Sequence, residues 1–380
     1  MMPLANIKVL DLSHLGPGVM CSMMLADFGA EVLNICSPQQ AAMRPSKDIW
    51  SFEGQMDLIR ESMNRNKKSV MLDLKSQEGR AAFIEMSKKA DIILEDFRPG
   101  IVSRLGIDYE VIKEFNPGVI YCSLSGYGQS GPYRDLPGHD LNFVGMAGAL
   151  DLIGEKDGPP IIPMFFIADF AGAALHSIIG ILLSLYGRVT TGRGQFVDIA
   201  FVDSAMTLLT PLAYAQLNYG ITAKRGETLY SGFFPCYAVY KCADEKYLTI
   251  GCFEPWLWEN LCKTLSVEEF IPQQFAEGEK RTEIFVSLKK IFCEKKRDEW
   301  FDLLKGKNIC VGKVYSLDEV FSDPQILHRH IVNEVEDPIK GIVKHFGPTI
   351  KLSGTPGQIR SPAPLHGEHT EEVLKKLPSK

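Results

Sequence analysis

The chain has 380 residues, 45% of them apolar and 23% charged, with a formal net charge of −6. This composition supports a soluble globular protein with enough core for two domains. The acidic balance argues against general nucleic-acid binding, so an anionic ligand needs a local basic cluster. Nine cysteines are scattered; Cys236, Cys242 and Cys252 lack metal-finger spacing, so no metal is expected, and a reducing cytoplasm is. Residues 1–6 lack the basic-then-apolar order of a signal peptide, and the terminal Pro-Ser-Lys lacks the leucine of a peroxisomal tail.

In chain order, Ile7-Lys8-Val9-Leu10-Asp11-Leu12 reads as a strand, followed by Gly16-Pro17-Gly18, a helix over 19–28 and a strand over 31–35. This βαβ unit predicts a doubly wound, Rossmann-like α/β domain. Its glycine turn lacks the third glycine and the acidic residue of a dinucleotide site. Residues 39–63 are polar and read as an irregular surface excursion. The basic run Asn64-Arg65-Asn66-Lys67-Lys68 opens onto a strand over 69–74, and strand ends in such sheets are where ligands bind. A helix over 78–89, a strand over 91–95, a helix start flanked by Arg98 and Arg104, and a strand over 119–125 follow. A glycine-rich loop, 126–133, leads to His139.

Two helical segments then each begin with ionisable groups: His139 and Asp140 open one over 144–150, and Asp169 opens one over 170–186. The second is apolar nearly all round, which predicts burial; Gly172, His176, Gly180 and Arg188 argue for a core helix over a membrane span. A His and an Asp at two helix starts, facing one pocket, can move protons on both sides of a single carbon. The ordinary alternative for Asp169 is a helix N-cap worth about 1 kcal/mol. Beyond a strand over 195–200 and a helix from Asp203, residues 218–228 read as a linker. A hairpin pairs 236–241 with 247–251, and helices follow at 255–265, 281–292, 297–304 and from 316. The expected division is a large α/β domain over 1–220, a small α+β domain over 230–320, and a return to the large domain over 325–380.

Five motifs occur in order: Leu25-Ala26-Asp27-Phe28-Gly29-Ala30-Glu31-Val32, Phe97-Arg98-Pro99-Gly100, Ser125-Gly126-Tyr127-Gly128, Gly192-Arg193-Gly194-Gln195 and Gly367-Glu368-His369-Thr370. Together they resemble the class III CoA-transferases (CaiB/BaiF), which include the α-methylacyl-CoA racemases. Gly138-His139-Asp140-Leu141-Asn142 resembles the racemase motif that carries the catalytic His. Asp169 resembles the catalytic Asp of both branches, and Glu254 the racemase Glu that supports the His.

The resemblance implies a racemase of 2-methylacyl-CoA thioesters with His139 and Asp169 as its two bases, supported by Glu254 and by Asp140. It needs no cofactor beyond the CoA thioester it acts on. It also implies an interlocked homodimer, with Arg98, Arg104, Lys68 and Arg65 toward CoA. Asn34 and Ser37 stand where the family usually has basic residues, so weak discrimination for the adenosine end is expected. One alternative is a CoA-transferase in which Asp169 takes the acyl group as an anhydride; another is a non-catalytic acyl-CoA-binding protein.

Overall fold

The structure is a computed structural model that describes residues 1–14, 16–43, 46, 48–164 and 166–378. The first half runs β1 (Lys8–Asp11), α1 (Gly16–Asp27), β2 (Glu31–Cys36), α2 (Pro38–Ala41), α3 (Phe52–Met63), β3 (Lys67–Met71), α4 (Gln77–Ser87), β4 (Ile92–Glu95), α5 (Ile101–Leu105), α6 (Tyr109–Lys113), β5 (Ile120–Ser125) and α7 (Asp140–Met146). A π-helical turn, Ile167–Ala174, leads into α8 (Leu175–Thr191); β6 (Phe196–Ala200), α9 (Phe201–Thr207) and α10 (Thr210–Tyr219) follow. Then come β7 (Tyr237–Lys241), β8 (Tyr247–Gly251), α11 (Pro255–Leu265), α12 (Gly278–Phe292), α13 (Arg297–Leu304) and β9 (Val311–Lys313). The chain ends with α14 (Leu317–Val320), α15 (Pro324–His328), the hairpin β10 (Val332–Asp337) and β11 (Gly341–Phe346), and α16 (Thr370–Leu374).

Two compact units emerge. The larger comprises Met1–Ala149, Pro163–Thr210 and Leu327–Lys380; the smaller comprises Leu150–Ile162 and Pro211–Ile326. This differs from the expected division in that 150–162, 211–220 and 325–326 go with the smaller unit. The irregular stretch at 150–162 is stitched to it by Arg225, which bonds the Asp151 carbonyl at 2.6 Å and carboxylate at 2.7 Å.

The large unit is built on a six-stranded parallel sheet in the order β3-β2-β1-β4-β5-β6. Strands covered on both faces read as near-continuous apolar runs, and every residue of β4 and β5 is buried. One layer of the core gathers Leu12, Ile35, Val70, Phe83, Ile93 and Tyr121. Polar groups in this interior are paired: Lys67 Nζ donates to Ser22 Oγ at 2.7 Å, Asn64 Oδ1 at 2.8 Å and Asp11 Oδ2 at 3.3 Å. A buried cation persists only when its donors are met in this way.

Three sequence expectations are corrected here. Residues 39–63 are not irregular throughout, since they hold most of α2 and all of α3. Serine caps explain this: Ser51 Oγ accepts from Gly54 N at 3.0 Å, and Ser37 with Gln40 forms a reciprocal capping box. The helix expected at 144–150 starts earlier, at Asp140, with His139 as its N-cap residue. The apolar helix ending at Thr191 is not buried all round: only Ser177, Ile181 and Ser184 of α8 are buried, while Leu183 is 65%, Tyr186 78% and Val189 82% exposed. The stretch Ile167–Thr191 is long and apolar enough to cross a membrane by length and composition alone, yet Ser177 and its neighbours pack it against β5 and β6.

The small unit carries the antiparallel sheet β7-β8-β9, whose hairpin turns through Glu245 at φ 64°. Its core centres on Tyr240, Trp258, Leu261, Phe292 and Trp300.

Candidate active site

His139 has extended backbone (φ −129°, ψ 175°), as an N-cap residue should, and its N–H donates to Asn142 Oδ1 at 3.0 Å. The ring of Phe143 fixes the helix that follows. It is wedged so tightly that a Cβ on Gly126 or Gly138 would lie 2.5 or 2.6 Å from it. Tyr127 and Phe201 meet the same ring edge-on at 5.4 and 5.1 Å. The glycines before His139 therefore serve a close approach.

Asp169 lies in the π-helical turn, a geometry found mostly at functional sites. Helix starts leave backbone N–H groups without intrahelical partners. Here Asp169 N donates to Asp140 Oδ1 at 2.9 Å, tying the two helix starts together across 29 positions of sequence. The adjacent Phe170 ring would lie 2.5 Å from a Cβ on Gly16, which opens α1 just beyond β1. These contacts put the His139 and Asp169 segments at the carboxyl-terminal edge of the parallel sheet, where ligands of such folds bind.

Electrostatics single out Asp169. Its Oδ1 is buried without a hydrogen-bond partner. Burial first, and the charge of Asp140 second, push its carboxyl up to about 7. It therefore exchanges a proton near neutral pH, as a general acid or base must. His139, one residue from Asp140, is exposed. Glu95, at the end of β4, is also pushed up to about 7 by burial, although the Ser123 hydroxyl and Phe97 N–H hydrogen-bond it.

The other sequence-selected residues are placed as follows. Arg98 and Arg104 are exposed beyond β4, and neither guanidinium has a hydrogen-bond or ion-pair partner among the described residues. Lys68 pairs with Glu372 of α16 at 2.7 Å on the surface. Arg65 is a correction: it is buried and bidentate to Asp27, at 3.0 and 2.6 Å, so its charge is spent inside the fold. Glu254, in the small unit, is exposed and opens α11 ahead of Pro255. Sequence reasoning passed over Arg134, whose only signal is a basic residue in the glycine loop five positions before His139.

With this geometry established, the similarities to known proteins become interpretable. The profile of CoA-transferase family III matches residues 4–370. The human protein named alpha-methylacyl-CoA racemase is 32% identical, over 99% of this chain and 94% of its own. The mouse protein named succinyl-CoA:glutarate CoA-transferase is also 32% identical, over 99% of this chain and 87% of its own. The crystal structure of a CAIB/BAIF family protein from Brucella suis superposes with a TM-score of 0.84 at 28% identity, covering 99% of this chain and 100% of that one. The chain belongs to CoA-transferase family III.

Proposed function

We propose that this protein is a cofactor-independent racemase of 2-methylacyl-CoA thioesters, working by 1,1-proton transfer. The observation that supports this reading is the bond from Asp169 N to Asp140 Oδ1, which joins the segments carrying His139 and Asp169, together with the proton affinity of Asp169 near 7. A thioester acidifies its α-carbon, but removal of that proton needs a base in contact with it. His139 takes the proton from one epimer while protonated Asp169 supplies one to the opposite face of the enolate; the reverse epimer uses the opposite states. A carboxyl that gains and loses its proton near neutrality suits both halves of that cycle.

In this reading the protein works as an interlocked homodimer, and Glu254 of one copy supports the His139 imidazole of the other. The uncovered apolar residues of α8, Leu183, Tyr186 and Val189, favour a second copy as their cover. Arg98 and Arg104 face the CoA phosphates.

The transferase reading uses Asp169 differently. Its carboxylate attacks the thioester carbonyl, the CoA thiolate leaves, and a mixed anhydride forms. The equal identity to a protein named as a transferase keeps that reading in play. A 2-methylacyl-CoA incubated with the enzyme in D2O separates the two. Deuterium at the α-carbon without any acceptor acid is the expected result. CoA transfer to a free acid with no α-exchange would overturn the racemase reading.

A further inference from the structure

We propose that the large unit carries a second ligand site, at the edge of its sheet opposite the His139 and Asp169 segments, and that this site takes a medium-chain carboxylate. A cavity of about 210 Å³ opens where β1, β2 and β3 begin, and all of its lining belongs to the large unit. Leu10 of β1 lies in register with Leu33 of β2, and Leu33 with Lys68 of β3. Side chains two apart on a strand share a face, so Lys8 points with Leu10 and Glu31 with Leu33. On that face α4 and the end of the chain after α16 bring Met86, Val373 and Leu377 into the same apolar layer. The cover is incomplete: α16 has five residues, and Leu33, Val373 and Leu377 stay half-buried beside the opening. Sites for drug-sized ligands run to about 300–1,000 Å³, so this one suits a smaller molecule with an apolar chain.

The rim supplies the charge. Lys8, Lys68, Lys89 and Lys376 border the cavity, against Glu31 and Glu85. Lys68 and Lys376 share the Glu372 carboxylate, each at 2.7 Å, and Glu85 pairs with Lys88. Lys8 and Lys89 have no carboxylate partner among the described residues. Asp91, next to Lys8, is engaged elsewhere: its Oδ2 accepts the Lys8 backbone N–H at 2.9 Å, and its Oδ1 pairs with Arg188 at 2.8 Å. Glu31 stands opposite Lys8 in register, and no ion pair joins the two. Two free ammonium groups and one free carboxylate leave a single positive charge over an apolar floor. A carboxylate balances that charge, whereas a phosphate monoester carries about −1.5 to −2 near neutral pH.

The bound chain would also hold the last helix in place. The start of α16 is pinned to β3, with His369 N donating to the Ser69 carbonyl and Met71 N to Thr370 Oγ1, both at 2.9 Å. Its far end rests on Leu377 and the opening. An alkyl chain between Leu33, Met86 and Leu377 joins that end to β2 and α4. A helix this short depends on such packing and opens locally without it. The site shares no residue with the His139 and Asp169 segments and does not rest on the proposed racemase reading.

Calorimetry of the full chain with hexanoate, octanoate and octan-1-ol tests the charge and the chain separately. Affinity should rise about fourfold for each methylene from hexanoate to octanoate, and octan-1-ol should bind more weakly than octanoate. Lys8→Gln and Lys89→Gln are surface changes that leave the fold intact. Each should weaken octanoate by about two- to fivefold, the scale of an exposed ion pair, and less so at high salt. Octanoate should also slow backbone deuterium exchange in peptides spanning the end of α4 and α16. Octan-1-ol binding as tightly as octanoate, or equal octanoate affinity in the parent and the doubly substituted protein, overturns the carboxylate assignment. Exchange protection confined to the His139 and Asp169 segments overturns the site itself, whether or not the protein racemises a thioester.

Discussion

The small unit and the sheet edge of the large unit treat buried polar groups in opposite ways. In the small unit the indole N–H groups of Trp258 and Trp300 reach the Phe270 and Phe292 carbonyls at 3.0 and 2.8 Å, and the Tyr240 hydroxyl reaches the Pro235 carbonyl at 2.6 Å. Gln274 Nε2 bonds two carbonyls, those of Cys252 and Phe253. At the sheet edge, Ser125 Oγ, Gln129 Nε2 and Asp169 Oδ1 are buried without partners, against Gln273 Oε1 alone in the small unit among the described residues, and Asp169 and Glu95 both hold protons up to about 7. Leaving buried polar groups unmet costs stability. That cost gathers where a ligand or a proton can be received, and the small unit contributes order around its aromatic core.

The sharpest way to break this comparison is to remove the two groups proposed to move the proton. His139→Ala should lower racemisation by about 10²- to 10⁴-fold, the range for losing a general acid or base. Asp169 should still exchange the α-proton of one epimer with retention, and Asp169→Ala should give the opposite epimer preference. Exchange of each pure epimer in D2O, followed by mass spectrometry, reads this directly. Identical losses for both epimers in both variants would sink the two-base assignment. At pH 4, where the folded protein keeps the Asp169 proton, the melting temperature of each variant should stay near that of the parent, because neither side chain fills the core.

The small unit should behave in the reverse manner. Trp258→Ala removes a side chain that is 1% exposed and should cost about 3–5 kcal/mol. Chemical denaturation should detect that loss as a lower midpoint.

How much of this was legible in the sequence follows the same physical divide. The central strands of the parallel sheet, β1, β4 and β5, are buried, largely apolar runs followed by glycine turns, and local pattern suffices to place them. His139 and Asp169 stand out as ionisable residues among glycine and alanine. The bond through Asp140 does not, because it depends on how two segments pack across 29 positions. Arg65 looked like a ligand in a basic run, but its partner Asp27 is 38 residues away. The helix α3 was hidden by its polar composition, although Ser51 announced its start. The exposed face of α8 was misread because composition reports that a surface is apolar, and not whether this chain covers it.

The smallest effect concerns pH and compares the two proton-holding carboxyls. Asp169 is raised from 3.8 to about 7, and Glu95 from 4.5 to about 7. In both, the folded state binds the proton more tightly than the unfolded chain. Between about pH 4 and 7 the unfolded chain has already released the proton while the folded chain keeps it, so stability falls as pH rises through that window. Asparagine at 169 cannot ionise, and Asp169 Oδ1 has no hydrogen bond to lose. Asp169→Asn should therefore be more stable than the parent at pH 8, by about 1–3 kcal/mol after allowing for partial exposure, with little gain at pH 4. Glu95 is held on both oxygens, by Ser123 and by Phe97 N–H. A glutamine there keeps only one acceptor, so the relief at pH 8 is offset by a lost hydrogen bond of about 1 kcal/mol. Glu95→Gln should show the smaller gain at pH 8 and a net loss at pH 4. Urea midpoints at the two pH values distinguish the cases, and equal gains for both variants at pH 8 would mean that the partnerless oxygen of Asp169 is not what sets it apart.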